Sequence, residues 1–409
     1  MIQIPITAFS ARQVQPMLTI TDTGVDIMKG LASQNLLKFC YSDSTSEKAD
    51  GLDIEIADPH RTWMQQHLPK KGIECKAGFT VYNWKNPGDN RVFEMGTFYI
   101  NQVEYKFGSH HGNVVTVKGS SIPVKSHIKN EKKHRSWEAS NLKSIAGQVA
   151  QQNGLTLFYD TTQNPQVKRT DQVDKSDLAY LRDRCKEASL SLKIHNKQLV
   201  IYSEEEYDQR APAFTITYGK DNVLEGEFVS KCDDTYASAE NKYVDPAHGK
   251  LVKEKFTPSE PPEGSYELLK LNERNEIEPD DPDPDPGGGV PWPKIREGAL
   301  LVVASGEPRE QLYSYDLPFT GPAQSHGKGK GSKKGAHRKC KGKLRQKNKK
   351  EKESHIKLVG DPMYLSSLCV QLIDFGIFSG KWFISEARHD IAQHGYEVEL
   401  HIRTALKGY

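Results

Sequence analysis

The chain has 409 residues, with 56 Lys and Arg against 54 Asp and Glu and a formal net charge of +2. This length predicts two to three domains, each large enough to bury a core. The stretch from Gln324 to Lys357 holds fourteen basic and two acidic residues, so it carries +12 and leaves the other residues at −10. This distribution excludes a uniformly basic nucleic-acid binder.

The six cysteines are scattered singly, without a C-x-x-C pair. This pattern predicts free, mostly packed thiols in a reducing compartment. The N-terminal segment lacks a signal-peptide pattern, and no stretch approaches the ~18 apolar residues of a membrane-spanning helix. We therefore expect a protein made in the cytoplasm, without a membrane span.

Short strands separated by turns dominate the first part of the chain, from "MLTIT" to "NVVTVKG". Apolar residues alternate at Ile54 and Ile56 and again at Val115 and Val117, as in half-buried antiparallel strands. Residues 1–122 are therefore predicted to form a first β-domain.

A helical pattern follows, with Leu142, Ile145 and Val149 on one face, Ser136 as the expected N-cap and Gly154 just past the end. A strand, a second helix in "KSDLAYLRDRCKEASL" and a hairpin turning at Asn196-Lys197 come next. Residues 123–206 are predicted to be a small α+β domain.

Strand patterns return in residues 207–255 and 355–409, which we assign to a second β-domain. Between them, residues 256–354 are predicted to be an insertion. It begins with a linker containing "EPDDPDPDPGGG", in which repeated proline and glycine prevent regular structure. It ends in a Lys-rich helix from about Lys334 to Lys350, on which Ala336, Cys340 and Leu344 form a narrow apolar stripe.

No catalytic, cofactor-binding or metal-binding motif emerges from the sequence. The carboxylates of Asp281, Asp283 and Asp285 are spaced as in an EF-hand loop, but Pro286 replaces the turn glycine and Trp292 the closing Glu. The histidines lack helical metal-ligand spacing and are predicted to be solvated turn residues; they are His110, His111, His389, His394 and His401.

Two segments near opposite ends of the chain echo each other, each with a Gly-initiated strand, a polar reversal and a return strand. In the alignment Gly96 matches Gly380, Phe98 matches Trp382 and Ile100 matches Ile384; after a one-residue slip, Gly112 matches Gly395, Val115 matches Val398 and Val117 matches Leu400. The repeat predicts two related β-domains, one on each side of the α+β domain.

The C-terminal segment "HIKLVGDPMYLSSLCVQLIDFGIFSGKWFISEARHDIAQHGYEVELHIR" resembles the phage late control protein D family, the baseplate hub proteins of contractile tails and tailocins. The central "VDKSDLAYLRDRCKEASLSLKIHNKQLVIY" is similar to the helix-and-hairpin segment of that family. The order and spacing agree over nearly the whole chain, except in the Asp-Pro/Gly linker. The motifs that carry the resemblance are Gly360-Asp361-Pro362, Phe375-Gly376, Gly380 to Ile384, His389 and Gly395-Tyr396.

The resemblance implies a mainly β fold in which two tube-like β-barrel domains flank a small α+β domain, with the insertion interrupting the last β-domain. It implies a homotrimeric ring that adapts a six-fold tail tube to a three-fold spike at the virion tail tip, or baseplate, after synthesis in the host bacterial cytoplasm. The implied partners are tail tube, spike, baseplate wedge and tape measure proteins. No enzymatic activity and no cofactor are implied.

Three roles remain open for the Lys-rich helix. It can be a solvated helix docked by its apolar stripe, or it can face the tail lumen or an acidic partner through Lys333, Lys334, Arg338, Lys341 and Arg345. Direct nucleic-acid binding is the least favoured, because interleaved aromatic residues are absent. For the whole chain, the alternatives are a tail-associated peptidoglycan hydrolase and a nucleic-acid-binding protein that uses the Lys-rich segment.

Overall fold

The computed structural model describes residues 11–29, 34–45, 48–67, 69–110, 112–124, 126–245, 250–262, 265, 269–271 and 333–409. The fold is mainly β, which confirms the predicted class. The Asp-Pro/Gly linker and its three alternating aspartates lie outside the described residues.

The first part of the chain forms a unit of six antiparallel strands. In space their order is β1-β4-β5-β6-β3-β2. A short π-helical segment, Trp63–His67, lies between the third and fourth strands. The strands are β1 (Gln13–Ile20), β2 (Leu36–Ser44), β3 (Gly51–Ala57), β4 (Glu74–Tyr82), β5 (Arg91–Gly108) and β6 (Gly112–Ser120).

The next part mixes helices and strands. Its elements are β7 (Lys132–Asn141), α1 (Leu142–Gln152), β8 (Thr156–Asp160), β9 (Gln166–Ser176), α2 (Asp177–Glu187), β10 (Ser191–His195), β11 (Gln198–Tyr202) and α3 (Glu204–Asp208). Strands β10, β11 and β8 form one sheet, and β7 pairs with β9. The helices bury Ile145, Val149 and Leu181 against the three-stranded sheet, in a core of their own.

The predicted N-cap of α1 was wrong. Ser136 lies within β7, and the helix is capped by Asn141, whose side chain accepts a hydrogen bond from the Ser144 backbone N–H. Asn141 immediately precedes the first helical residue and is in the extended conformation that an N-cap requires, whereas Ser136 lies five residues before Asn141 and cannot reach the free N–H groups of the first turn. Gly154 follows the helix with a positive φ of 69°.

The next part of the chain contains two strands of the large sheet, followed by a separate group of three strands and one helix. The elements are β12 (Phe214–Thr217), β13 (Val223–Ser230), β14 (Ala239–Asp245), β15 (Lys250–Phe256), β16 (Leu269–Leu271) and α4 (Lys333–Asn348). Strands β14, β15 and β16 form their own sheet, and α4 packs on it. The strand pairing therefore groups β14 and β15 with the Lys-rich helix and not with β12 and β13.

The last four strands complete a second unit of six. They are β17 (Lys352–Val359), β18 (Cys369–Ile373), β19 (Gly380–Ala392) and β20 (Gly395–Thr404). The order in space is β12-β18-β19-β20-β17-β13. In chain order and in neighbours, β12, β13, β17, β18, β19 and β20 thus take the places of β1 to β6. One pairing differs, because β12 runs parallel to β18 whereas β1 runs antiparallel to β4.

The two six-stranded units join in one twelve-stranded sheet. The junction is an antiparallel ladder between β2 and β19, from Lys38 opposite Ala392 to Ser44 opposite Glu386. Both units contribute to one apolar core, which contains Phe39, Ile54 and Ile384.

Candidate assembly surfaces

The repeated hairpins have the same backbone irregularities. Gly96 and Gly380 both have positive φ, of 99° and 140°, where a side chain would be strained. The β5–β6 register shifts at Asn101, between Ile100 and Gln102, and the β19–β20 register shifts at Ser385, between Ile384 and Glu386. These bulges lie at equal distances from the two glycines, so they fix the correspondence of the strands residue by residue.

The aromatic and aliphatic members of the repeat face the common core. Phe98 and Ile100 are buried in the first unit, and Trp382 and Ile384 are buried in the second. The Trp382 indole N–H also donates to the Phe378 carbonyl at 2.9 Å. The four side chains are therefore packing residues at equivalent depths of the two units.

A second pair of bulges extends the correspondence to the outer strands. The β2–β3 register shifts at Leu37, and the β13–β17 register shifts at Leu224. Ile54 on β3 lies opposite Val117 of β6, and Ile356 on β17 lies opposite Leu400 of β20. Because Val117 corresponds to Leu400 in the repeat, Ile54 corresponds to Ile356. The duplication therefore holds across four adjacent strands without a register conflict.

The β2–β19 junction places aromatic groups on its core side. Tyr41 lies opposite His389, and the two rings stack with centroids 5.7 Å apart. His389 is buried, and its Nδ1 lies 2.7 Å from the Tyr396 hydroxyl. The prediction that His389 is a solvated turn residue was wrong, because it occupies an inward-facing strand position. Burial lowers the pKa of His389 to about 4.

A buried polar cluster attaches the α+β part to the first unit. The Lys193 ammonium on β10 lies 2.8 Å from Asp43 and 3.3 Å from Asp50. His195 Nδ1 lies 2.6 Å from Asp50, and the Tyr202 hydroxyl donates to the backbone carbonyl of the residue that follows β2, at 2.6 Å. Burial opposes the charge on Lys193, but the two carboxylates outweigh it and raise its pKa.

The Lys-rich helix α4 docks by the predicted apolar stripe. Cys340 and Leu344 are fully buried and Ala336 is nearly so. Cys340 and Leu344 contact Ala239 of β14 and Tyr409 near the C-terminus. This docking explains why α4 belongs to the small sheet.

The basic face of α4 meets the acidic helix α3. Lys341 lies 2.6 Å from Glu205, and Arg345 lies 2.6 Å from Asp208. Arg403 on β20 reaches the same acidic helix, 3.1 Å from Glu204 and 3.1 Å from Asp208. Burial alone would raise the pKa of Glu204, but Lys349 and Arg403 outweigh it and lower the pKa to about 2.

The structure therefore separates the five basic residues singled out in the sequence. Arg345 is buried and Lys341 is ion-paired, so both charges are used inside the chain. Arg338 is half-buried, and its carbonyl accepts a hydrogen bond from the Ser189 hydroxyl at 3.4 Å. Lys333 and Lys334 belong to α4, but their side chains lie outside the described set.

Three exposed or half-exposed side chains on β17 and β20 could together hold a metal ion. The Glu399 carboxylate lies 3.9 Å from His355 Nδ1 and 3.7 Å from His401 Nε2. The sequence does not reveal this group, because ladder register and not spacing brings His355 opposite His401. His110 and His394 lie exposed in turns as predicted, whereas the same prediction for His401 was wrong, because His401 is half-buried within β20; His111 lies outside the described residues.

The cysteines and the helices of the chain can be compared with the sequence predictions of free thiols and of no membrane span. All six cysteines are free, and five are buried, with Cys232 exposed. Among the described helices, none has the length and apolar character needed to cross a membrane.

These strands and their connections give the chain the fold of phage tail proteins. It is similar to the 43 kDa tail protein of prophage MuSo2 from Shewanella oneidensis, with a TM-score of 0.61 and 13% identity over 96% of this chain and 98% of that one. A tail protein from Neisseria meningitidis MC58 gives a TM-score of 0.62 and 10% identity over 95% and 96%. Prophage tail protein gp18 from Listeria monocytogenes EGD-e gives 0.50 and 10% over 95% and 94%. No family model and no curated protein matches the sequence.

Proposed function

We propose that the chain is a structural baseplate hub of a contractile phage tail or tailocin. In this proposal three copies form a ring at the tail tip that joins a six-fold tail tube to a three-fold spike. The ring acts through assembly and not through catalysis. The likeness to phage tail proteins supports a place in a tail, and it supports it at the level of fold alone.

The observation that carries the proposal is the duplicated strand order. Each chain contains two six-stranded units with the same strand order and with matching bulges in two of their ladders, joined edge to edge. Three such chains supply six similar units, which match six tube subunits on one face, while the ring as a whole retains three-fold symmetry for a spike.

The proposal assigns the parts of the chain to different tasks. Residues 1–122, and residues 207–255 with 355–409 apart from β14 and β15, provide the tube-like domains, and residues 123–206 provide the small α+β domain. The insertion, residues 256–354, together with β14 and β15, stands apart from the ring wall. Wedge and tape measure proteins are further partners in this scheme.

Oligomeric mass and partner binding test the proposal directly. Mass photometry of the purified chain should give a species of about 138 kDa, three times the 46.0 kDa of one chain. The species should bind the tail tube protein and the spike protein in separate pull-down experiments. A chain that stays at 46.0 kDa at every concentration, with neither partner bound, would refute the hub assignment.

The ion pairs of α4 argue against the nucleic-acid alternative. Because Lys341 and Arg345 are neutralised within the chain, only part of the Lys-rich segment can attract phosphates. We expect weak binding to duplex DNA whose affinity is unchanged when Arg338 is replaced by Gln. A steep salt dependence that Arg338→Gln reduces would favour the alternative. A peptidoglycan zymogram without lysis would exclude the hydrolase.

A further inference from the structure

Among the described strands of the twelve-stranded sheet, β1, β12, β13 and part of β5 have a ladder partner on one side only, and two of these open edges, on β5 and β13, are related by the duplication. Within the described part of the chain, residues 102–108 of β5 have a ladder partner only on the β6 side, and β13 has one only on the β17 side. Phe107 is 74% exposed on the first edge and Leu224 is 51% exposed on the second. Unpaired strand edges with exposed apolar side chains are templates for pairing with another chain.

The internal duplication identifies the partner of each edge. Strand β13 occupies the place of β2, and β5 occupies the place of β19. Inside the chain, β2 pairs with residues 386–392 of β19, which correspond to residues 102–108 of β5. At this satisfied junction Ile391 is 5% exposed, whereas its counterpart Phe107 is 74% exposed.

We propose that β13 of one copy pairs antiparallel with residues 102–108 of β5 in the next copy, in the register that β2 adopts on β19. The occupant of each of these two edges is thus a second copy of this chain. The bulges at Leu37 and Leu224 and at Asn101 and Ser385 transfer the register without adjustment. The opposed pairs are then Glu225 with Gly108, Gly226 with Phe107, Glu227 with Lys106, Phe228 with Tyr105, and Val229 with Glu104.

The transferred register is chemically consistent on the core side. Tyr105 and Phe228 already pack against the apolar core of their own sheet, and the register places them opposite each other. Phe107 falls opposite Gly226, which has no side chain and leaves space for the aromatic ring. Aromatic cross-strand pairs and aromatic rings over glycine both stabilise sheets.

The solvent side of the register is consistent as well. Lys106 falls opposite Glu227; within one chain Lys106 lies 3.7 Å from Glu104, in an exposed pair. A two-residue slip toward the start of β5 would instead oppose Glu227 to Glu104, two like charges. A one-residue slip would turn Phe228 away from the core. The charge pairing of Lys106 with Glu227 and the inward orientation of Phe228 therefore select the same register.

The pairing is head to tail, because it joins two different edges. Such an interface closes into a ring or grows as a filament. The number of three copies rests on the proposed hub function, whereas the identity of the paired edges rests on the duplication alone.

Engineered cysteines test the register in the full-length chain. In a Cys232→Ser background, Lys106→Cys and Glu227→Cys are combined and treated with an oxidant or a short thiol cross-linker. We expect covalent trimers on a denaturing gel. The matched control combines Gln102→Cys with Glu227→Cys; residue 102 faces the same side but lies four residues, about 13 Å, along the strand. Asp390→Cys is the positive control, because residue 390 lies opposite the natural Cys40 at the β2–β19 junction. Its cross-link forms within one chain, so the mass on the gel stays that of a single chain.

The outcomes separate this inference from the hub assignment. A trimer by mass photometry without cross-linking at 106 and 227, or with more cross-linking at 102 and 227, would overturn the proposed edge pairing and leave the hub proposal standing. A chain that is monomeric at all concentrations and fails to bind tube or spike protein would overturn both. Cross-linking at 106 and 227 in a species other than a trimer would support the pairing and contradict the ring of three.

Discussion

Replacing Asp208 by Asn should destabilise the docked Lys-rich helix strongly. The Asp208 carboxylate is fully buried between Arg345 at 2.6 Å and Arg403 at 3.1 Å, and both guanidinium groups are nearly buried. Removing one partner of a buried ion pair costs about 3–5 kcal/mol, because the remaining charge stays desolvated. Arg403 retains Glu204 at 3.1 Å, so we expect the lower end of this range, about 3 kcal/mol.

Urea unfolding measures this loss. With a slope of about 3 kcal/mol per molar urea, a loss of about 3 kcal/mol lowers the unfolding midpoint by about 1 M. The matched control is Asp234→Asn, whose carboxylate pairs with Lys347 on the same helix at 2.5 Å but is 55% exposed. An exposed pair contributes about 1 kcal/mol or less. Equal midpoints for the two variants would refute the reasoning that α4 is held by buried charges.

Three further changes test other contacts. Leu344→Ala should cost about 2–5 kcal/mol in urea unfolding because it leaves a cavity under α4, whereas Ile377→Ala, 89% exposed, should stay within about 0.5 kcal/mol; equal losses would contradict the docking. Because the folded pKa of His389 is about 4 and the unfolded value about 6.5, its contribution is present above pH 6.5 and is lost as pH falls toward 4, by about 3 kcal/mol. His389→Leu should flatten the curve of stability against pH over that interval, and an unchanged curve would contradict it. Gly360→Ala should cost about 1–3 kcal/mol in thermal unfolding, since its Cβ would lie 2.4 Å from the Tyr396 ring; Gly51→Ala, whose Cβ would lie 4.0 Å from its nearest neighbour, should not.

The sequence predicted most strands because their inward faces are apolar. It did not predict β7 and β9, since "KKHRSWEASN" and "QVKRTDQVDKS" contain few apolar residues. These strands are exposed on much of their surface, and polar contacts such as that of Arg135 with the buried Asp177 hold them. A ladder of this kind leaves no apolar alternation to detect.

The position of His389 could have been inferred from the sequence. It alternates with Ala387 and Ile391, both buried, so strand periodicity places its ring in the core. The ion pairs of α4 could not, because they depend on where α3 lies after folding. Likewise, a local pattern identifies a strand but does not specify that β2 will lie beside β19, 340 or more residues away along the chain.

The insertion interrupts only one of the two duplicated units. Strands β14 to β16 and α4 leave the sheet after β13 and return at β17, whereas β2 passes to β3 without such an excursion. In a closed ring of three chains, every second unit would therefore carry an appendage, at intervals of a third of a turn. The wall of such a ring would be nearly uniform around its circumference and would carry three distinct appendages, by which an incoming protein could distinguish otherwise similar positions.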